Sequence, residues 1–256
     1  MRYLIIGNSA AATGAIESLR SIDPDGELVV VAIEPQHVYA RPLISYYLAG
    51  QTDRKNMFFR PADFYEQNRV KTFLGEAAVS LTASNKTVRI EPAGLDLHFD
   101  RLLIATGGTP ILPTCFSGDY RNLYYFHQWQ DVEQIAAAIS PGQKALIVGG
   151  GLIGLKATES LTKRGLQVQI VEVAPHLLPS VLDAPAGDLV KRYLQTQGVE
   201  ILLGNPVVEL KGEKLINSVV LTDGTEMNCD LLVMAAGVRP NIDWLNNSRY
   251  YSTSQY

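Results

Sequence analysis

Two runs of small residues, each followed downstream by a carboxylate, are where this chain could do chemistry. The first is Gly7-Asn8-Ser9-Ala10-Ala11-Ala12 with Glu34 after it, and the second is Gly149-Gly150-Gly151-Leu152-Ile153-Gly154 with Glu172. A helix start offers unpaired backbone N–H groups and the positive end of the helix dipole, so a pyrophosphate is its natural guest, provided the side chains are small enough for close approach. In the second run Gly149 supplies the tight turn, Gly151 the backbone access and Gly154 the contact between helix and strand, while Leu152 and Ile153 open the helix. In the first run Ser9 and Ala12 stand where glycines would be, and both are short enough to serve, with Ala10 and Ala11 opening the helix. Glu34 and Glu172 each close a strand where a ribose hydroxyl pair would lie. A carboxylate accepts hydrogen bonds from hydroxyls and repels a 2′-phosphate, and no arginine follows Glu172 in Val173-Ala174-Pro175, so the second site should prefer NADH over NADPH. Plain strand-to-helix turns and solvated strand-end acids are the alternative readings. Two complete layouts on one polypeptide suggest two redox cofactors.

The elements that must position these residues are readable as a repeated strand–helix–strand unit. Short continuous apolar runs at Tyr3 to Ile6 and Leu28 to Ile33 read as buried parallel strands, joined by a helix from Ala10 through Leu19 and a turn at Asp23-Pro24-Asp25-Gly26. The second copy has strands at Ala145 to Val148 and Val168 to Val171 around a helix from Ile153 to Arg164 that Gly165 stops. Between the copies the pattern predicts a short helix over Asp63 to Asn68, an antiparallel meander over Ala78 to Phe99, a buried strand at Leu102 to Ala105 broken by Thr106-Gly107-Gly108-Thr109-Pro110, and a helix over Val132 to Ile139. After the second copy come a helix over Pro185 to Gln197, strands at Glu200 to Leu203, Val207 to Leu210 and Ser218 to Leu221, and a buried strand at Leu231 to Met234 that breaks at Ala235-Ala236-Gly237.

Bulk composition narrows the class. A chain of 256 residues with 46% hydrophobic and 19% charged content suits two globular domains, and a formal charge of -4 argues against a nucleic-acid partner. The two cysteines, Cys115 and Cys229, are too far apart in sequence for a dithiol motif, and His37, His98, His127 and His176 are dispersed, so no metal site and no catalytic triad is expected. The start runs straight into a strand and no run is apolar enough to span a bilayer, which predicts a cytoplasmic protein with no membrane partner.

With these motifs in order, the chain from Met1 to about Asn246 resembles the FAD-dependent pyridine nucleotide-disulfide oxidoreductases. Leu103-Ile104-Ala105-Thr106-Gly107-Gly108 resembles the segment leading from that family's flavin domain into its nicotinamide domain, and Ala235-Ala236-Gly237-Val238-Arg239-Pro240-Asn241 resembles the segment leading back. The resemblance implies an α/β fold of two Rossmann-like, three-layer ββα dinucleotide-binding domains, the second inserted into the first. Residues 1–110 would bind FAD, with 242–256 as a stub of the returning segment, and 111–241 would bind NAD(H). It implies flavin contacts from Gly7, Ser9, Ala10, Ala11, Glu34, Arg41, Pro42, Ala78, Ala105, Thr106 and Gly107. The implied NAD contacts come from Gly149, Gly151, Leu152, Ile153, Gly154, Glu172, Ala236 and Gly237.

Tyr39-Ala40-Arg41-Pro42-Leu43-Ile44-Ser45 lacks the cysteine or cysteine pair with which disulfide reductases and peroxidase-like members relay electrons. Within the family the chain therefore looks like the rubredoxin and ferredoxin reductases and the flavin domains of nitrite reductases. Those pass electrons from NADH through FAD to a redox protein or a fused acceptor domain. Arg41-Pro42 could equally be an ordinary extended X-Pro turn. Two departures stand out. Lys156 occupies a position where many relatives carry a glutamate near the nicotinamide, and could be a helix-surface charge. The family's last flavin-domain segment and its dimerising domain are not in the sequence, so the fold is expected to be truncated at the C-terminus, with FAD retention in question and a homo-oligomer possible. A nucleotide-binding module without flavin turnover and an NADH oxidase are the alternative functions.

Overall fold

The computed structural model describes residues 1–245. In chain order these form β1 (Arg2–Ile6), α1 (Ala10–Ile22), β2 (Glu27–Ala32), α2 (Ile44–Leu48), α3 (Phe64–Gln67), β3 (Val70–Leu74), β4 (Ala77–Thr82), β5 (Thr87–Glu91), β6 (Leu95–His98), β7 (Arg101–Ile104), β8 (Gly108–Pro110), β9 (Leu123–Tyr125), α4 (Trp129–Ala138), β10 (Lys144–Val148), α5 (Leu152–Lys163), β11 (Gln167–Glu172), α6 (Ala184–Thr196), β12 (Glu200–Leu203), β13 (Val207–Lys211), β14 (Ser218–Leu221), β15 (Glu226–Asn228), β16 (Leu231–Met234) and β17 (Val238–Pro240). The chain divides into two compact units. The first comprises Met1–Ala40, Lys55–Gly108 and the described residues from Pro240 on; the second comprises Arg41–Arg54 and Thr109–Arg239.

The first unit is built on a parallel sheet of order β3-β2-β1-β7. Alternation along its strands sends side chains to two different layers. Ile5, Leu28 and Val30 meet Ala12 and Ile16 of α1 and Phe64 of α3, whereas Leu4, Ile6, Val29 and Val31 meet Leu81, Val88, Ile90 and Leu97 of the antiparallel meander β4-β5-β6. Meander, sheet and helix are the three layers. The second unit repeats the plan with a parallel sheet of order β12-β11-β10-β16-β9 and an antiparallel meander β13-β14-β15. Leu146, Val171, Leu232 and Met234 of that sheet pack on Val207, Val219, Leu221 and Met227 of the meander, and β8 pairs with β17 as a separate two-stranded ribbon.

Sheet and meander in the second unit are pinned by a buried amide. Asn122 donates from Nδ2 to the carbonyls of Ile216 and Asp230, each at 2.8 Å, and accepts at Oδ1 from the Ile216 amide at 2.8 Å. Removing the side chain strands three backbone groups in a site where water is excluded, at about 1–3 kcal/mol for each group left unpaired. Asn122→Ala is expected to lower the melting temperature by several degrees, read by thermal circular dichroism.

Three expectations need correction. The strand expected to be buried over Leu102 to Ala105 is an edge strand, β7, with Leu103 and Ile104 exposed, because among the described residues only β1 pairs with it. Arg41-Pro42 is not an extended turn: it begins a 3-10 turn, Arg41–Leu43, that runs into α2, where the fixed φ of proline suits the first turn of a helix. Finally, residues 41–54 group with the second unit rather than with the rest of 1–110. Tyr47 packs edge-on against the buried Trp129 at 5.9 Å, Ser160 Oγ donates to the Ser45 carbonyl at 2.9 Å, and Arg54 pairs with Glu133 at 3.1 Å. The stub expected over 242–256 lies outside the described residues from 246 onward.

Candidate nucleotide-binding sites

Each fingerprint turn sits where the strand order reverses, the crevice in which open α/β sheets hold ligands. In the first unit β1 lies between β2 and β7, and in the second β10 lies between β11 and β16. The two turns are built by the same hydrogen bonds. Gly7 N donates to the Val31 carbonyl at 2.7 Å and Ala105 N to that of Ile6 at 2.7 Å; Gly149 N donates to Val171 at 2.8 Å and Ala235 N to Val148 at 2.8 Å. Only glycine fits the first position of either turn. Gly7 has φ +120° and an added Cβ would overlap the Ala105 carbonyl oxygen, while Gly149 has φ +116° and its Cβ would overlap that of Ala235. Gly154 is the buried contact of α5 with β10: a Cβ there would overlap the Gly149 carbonyl oxygen and lie 3.4 Å from Ile147.

Around Gly149 and Gly151 the second unit opens a cavity of about 660 Å³. Leu152, Ile153, Glu172, Ala236 and Gly237 line it as well, so every residue expected to touch the second nucleotide is at the cavity except Gly154, which lies beneath the turn. No atom stands within 4 Å of the position a Gly151 Cβ would take, which leaves backbone access open. Those contacts fit a dinucleotide. Sequence reasoning missed Phe116, Val173, Pro179, Ser180, Pro206 and Val207, which also line the cavity. They come from loops and strand starts whose nearness to the turn is a property of topology, with no local signal.

Glu172 is buried, 8% exposed, and its carboxylate is already oriented: Oε2 accepts from the Gly150 amide at 2.5 Å and Oε1 from the Ala174 amide at 2.8 Å. The acid therefore braces the turn it would share a ligand with. A loop after β11 is fastened to the same turn by Leu178 N donating to the Gly150 carbonyl at 2.9 Å. Leu177 packs so closely that a Cβ on Gly150 would lie 2.6 Å from its Cδ2.

In the first unit Ser9 is the N-cap of α1, with Ala10 and Ala11 exposed on the first turn and Ala12 buried against the sheet. Glu34 accepts from the Tyr39 hydroxyl at 2.6 Å. Ala78 lies in β4, half-buried against the meander layer, just after Glu76, whose amide donates to the Ala32 carbonyl at the end of β2. Thr106 Oγ1 donates to the Asn241 carbonyl at 2.8 Å and Gly107 accepts from the Asn241 amide at 3.0 Å. Arg41 Nη1 donates to the His127 carbonyl at 3.2 Å within the second unit. Lys156 is a helix-surface charge: it pairs with Glu159 at 2.8 Å and lies over the Tyr46 ring at 5.1 Å.

Of the two cysteines, Cys115 is half-buried and Cys229 is buried. Burial first, and the Asp230 charge second, push the Cys229 thiol up to about 12. At pH 8 only about one molecule in ten thousand would carry the thiolate. Native protein treated with iodoacetamide at pH 8 is expected to remain unalkylated at Cys229 by peptide mass spectrometry, and to react there once unfolded.

The matched turns, the ββα layering and the glycine constraints define a pair of Rossmann-type dinucleotide-binding units. The chain belongs to the pyridine nucleotide-disulphide oxidoreductase family, whose model matches residues 1–253. It is 34% identical over 246 residues to nitrite reductase [NAD(P)H] of Bacillus subtilis, covering 94% of this chain and 30% of that protein. It is 31% identical over 247 residues to the NADH-dependent phenylglyoxylate dehydrogenase subunit epsilon of Aromatoleum evansii, covering 96% and 58%. The fold matches the crystal structure of a ferredoxin reductase from Rhodopseudomonas palustris with a TM-score of 0.89 at 24% identity, over 95% of this chain and 60% of that one. The chain thus spans between about a third and three-fifths of the length of these relatives. No helix among the described residues is long and apolar enough to cross a membrane.

Proposed function

We propose that the chain is the FAD- and NADH-binding part of an oxidoreductase that takes hydride from NADH and passes electrons to a rubredoxin- or ferredoxin-like protein or to a fused acceptor domain. The carrying observation is the pair of turns that share the same two strand-to-turn hydrogen bonds, each opening a helix at a strand-order reversal. FAD belongs to the first unit, held by Gly7, Ser9, Ala10, Ala11, Glu34, Ala78, Ala105, Thr106 and Gly107; NADH belongs to the second, held by Gly149, Gly151, Leu152, Ile153, Glu172, Ala236 and Gly237. In domain terms this assigns 1–110 and 242–256 to flavin and 111–241 to nicotinamide, with 41–54 moved to the second, Arg41 and Pro42 included. The flavin, when bound, supplies hydride acceptance and stepwise electron release.

The chain's own residues bind and orient. The turn amides face the pyrophosphate, Glu172 accepts the adenosine ribose hydroxyls with oxygens already fixed by Gly150 and Ala174, and the apolar cavity walls at Phe116, Val148, Val171 and Val207 exclude water. One relative supports a fused acceptor by name and length, a nitrite reductase more than three times as long as the matched region, and another, a subunit of an NADH-dependent dehydrogenase, supports the NADH side. A cytoplasmic location completes the reading. The test is the visible spectrum of the purified protein. Flavin bands that bleach on adding NADH without oxygen, and return on adding an oxidised ferredoxin or rubredoxin, are expected. A colourless protein that still binds NADH would make it a nucleotide-binding module, and bleached bands that return only with oxygen would make it an oxidase.

A further inference from the structure

The two fingerprint turns differ in how their second residue is braced. In the second unit that residue is Gly150, which has no side chain and is held through its backbone by Glu172 and Leu178. In the first unit it is Asn8, and its side chain is engaged at both ends. Asn8 Oδ1 accepts from the Tyr65 hydroxyl at 2.7 Å, and Asn8 Nδ2 donates to the Gln36 carbonyl at 3.3 Å. The Tyr65 oxygen in turn accepts from the Val38 amide at 3.2 Å. Its ring lies 4.8 Å from that of His37 and 5.5 Å from that of Phe64, the buried anchor of α3. Burial raises the Tyr65 phenol above its usual range, so it stays a protonated donor at neutral pH.

These bonds join two places that must keep a set distance. One is the turn whose amides would face a pyrophosphate; the other is the loop that continues from Glu34, where the adenosine ribose would lie. On the flavin assignment proposed above, we infer that Tyr65, acting through Asn8, is a positioning residue for the ADP half of FAD, fixing the spacing between the first fingerprint turn and the loop after Glu34. Ser9 and Ala12 make this turn a less complete glycine cradle than the second one, and a side-chain brace from α3 compensates for that. The tyrosine touches no reacting atom and has no part in the NADH site.

The experiment uses the full chain loaded with FAD and follows flavin fluorescence as the cofactor leaves on dilution. Tyr65→Phe keeps the ring packing and removes only the hydroxyl, and release is expected to quicken roughly five- to tenfold, the size of one hydrogen bond. ADP binding to the apoprotein should weaken by a similar factor while NADH affinity at the second unit stays at the parent value, and the melting temperature should fall further in the FAD-loaded protein than in the apoprotein, where only the unpaired Val38 amide and Asn8 side-chain carbonyl act. Asn8→Ala, which also gives up the Gln36 bond, should lose at least as much, and the double variant should lose clearly less than the sum of the two single losses. A Tyr65→Phe protein that releases FAD at the parent rate, or losses that add in the double variant, would overturn the brace while leaving the flavin assignment standing. A parent protein that binds no FAD at all would overturn the assignment, and the brace with it.

Discussion

Gly7→Val is expected to strip FAD from the protein and leave NADH binding intact, and Gly149→Val to do the reverse. Both glycines sit at positive φ and both would drive a Cβ into a backbone carbonyl, that of Ala105 in one unit and Ala235 in the other. A β-branched residue cannot adopt that backbone without strain, and the neighbouring backbone is held in place, since the Ala105 and Ala235 amides donate hydrogen bonds to the Ile6 and Val148 carbonyls at the ends of β1 and β10. Strain and overlap together cost about 3 kcal/mol or more, at least a hundredfold in ligand affinity. Flavin absorbance of the purified variants and fluorescence titration with NADH read the two affinities independently. A Gly7→Val protein as yellow as its parent would remove the flavin from the first turn, and parent-like NADH affinity in Gly149→Val would remove the nicotinamide coenzyme from the second.

The parent is expected to favour NADH over NADPH by about a hundredfold or more in kcat/KM, because a 2′-phosphate would face the fixed Glu172 carboxylate and like charges in contact cost several kcal/mol. Reversing the preference requires care about where the cation goes. Glu172→Arg would surrender two hydrogen bonds accepted from backbone amides and bury a guanidinium at a position only 8% exposed. Val173, 67% exposed and lining the same cavity, can carry the guanidinium to solvent. The double variant Glu172→Gln/Val173→Arg keeps an oxygen for one amide and offers a phosphate partner. It is expected to bring the NADH:NADPH ratio to about unity, a shift of roughly a hundredfold, in steady-state assays with ferricyanide as acceptor. An unchanged ratio would mean that the ribose lies away from the end of β11.

Much of this was legible in the residues. The apolar runs at 3–6, 145–148, 168–171 and 231–234 are strands because continuous hydrophobic stretches suit sheets covered on both faces, and the spacing of glycines and other small residues located both turns. The misses have physical causes. Val70–Leu74 carries Lys71 and Thr72 and is an edge strand, so it lacks the run that marks a central one. Leu123–Tyr125 is too short to show a period. The Leu-Leu-Ile of β7 read as buried because composition does not report how many neighbours a strand has. The five-residue helix α2 has no local signal strong enough to announce it, since its order comes from packing on α4 and α5. At the site, the acid was visible but its bonds to Gly150 and Ala174 were not, because they join residues 22 and 2 positions apart through a turn only the fold defines.

The grouping of residues 41–54 with 109–239 bears on anyone who would clone the nicotinamide half by itself. A gene for 109–239 alone would leave Trp129 without Tyr47 and would uncover Ser160, both almost wholly shielded from water in the intact chain. An expression vector that grafts the fourteen-residue piece back through a flexible linker should yield the better-behaved polypeptide.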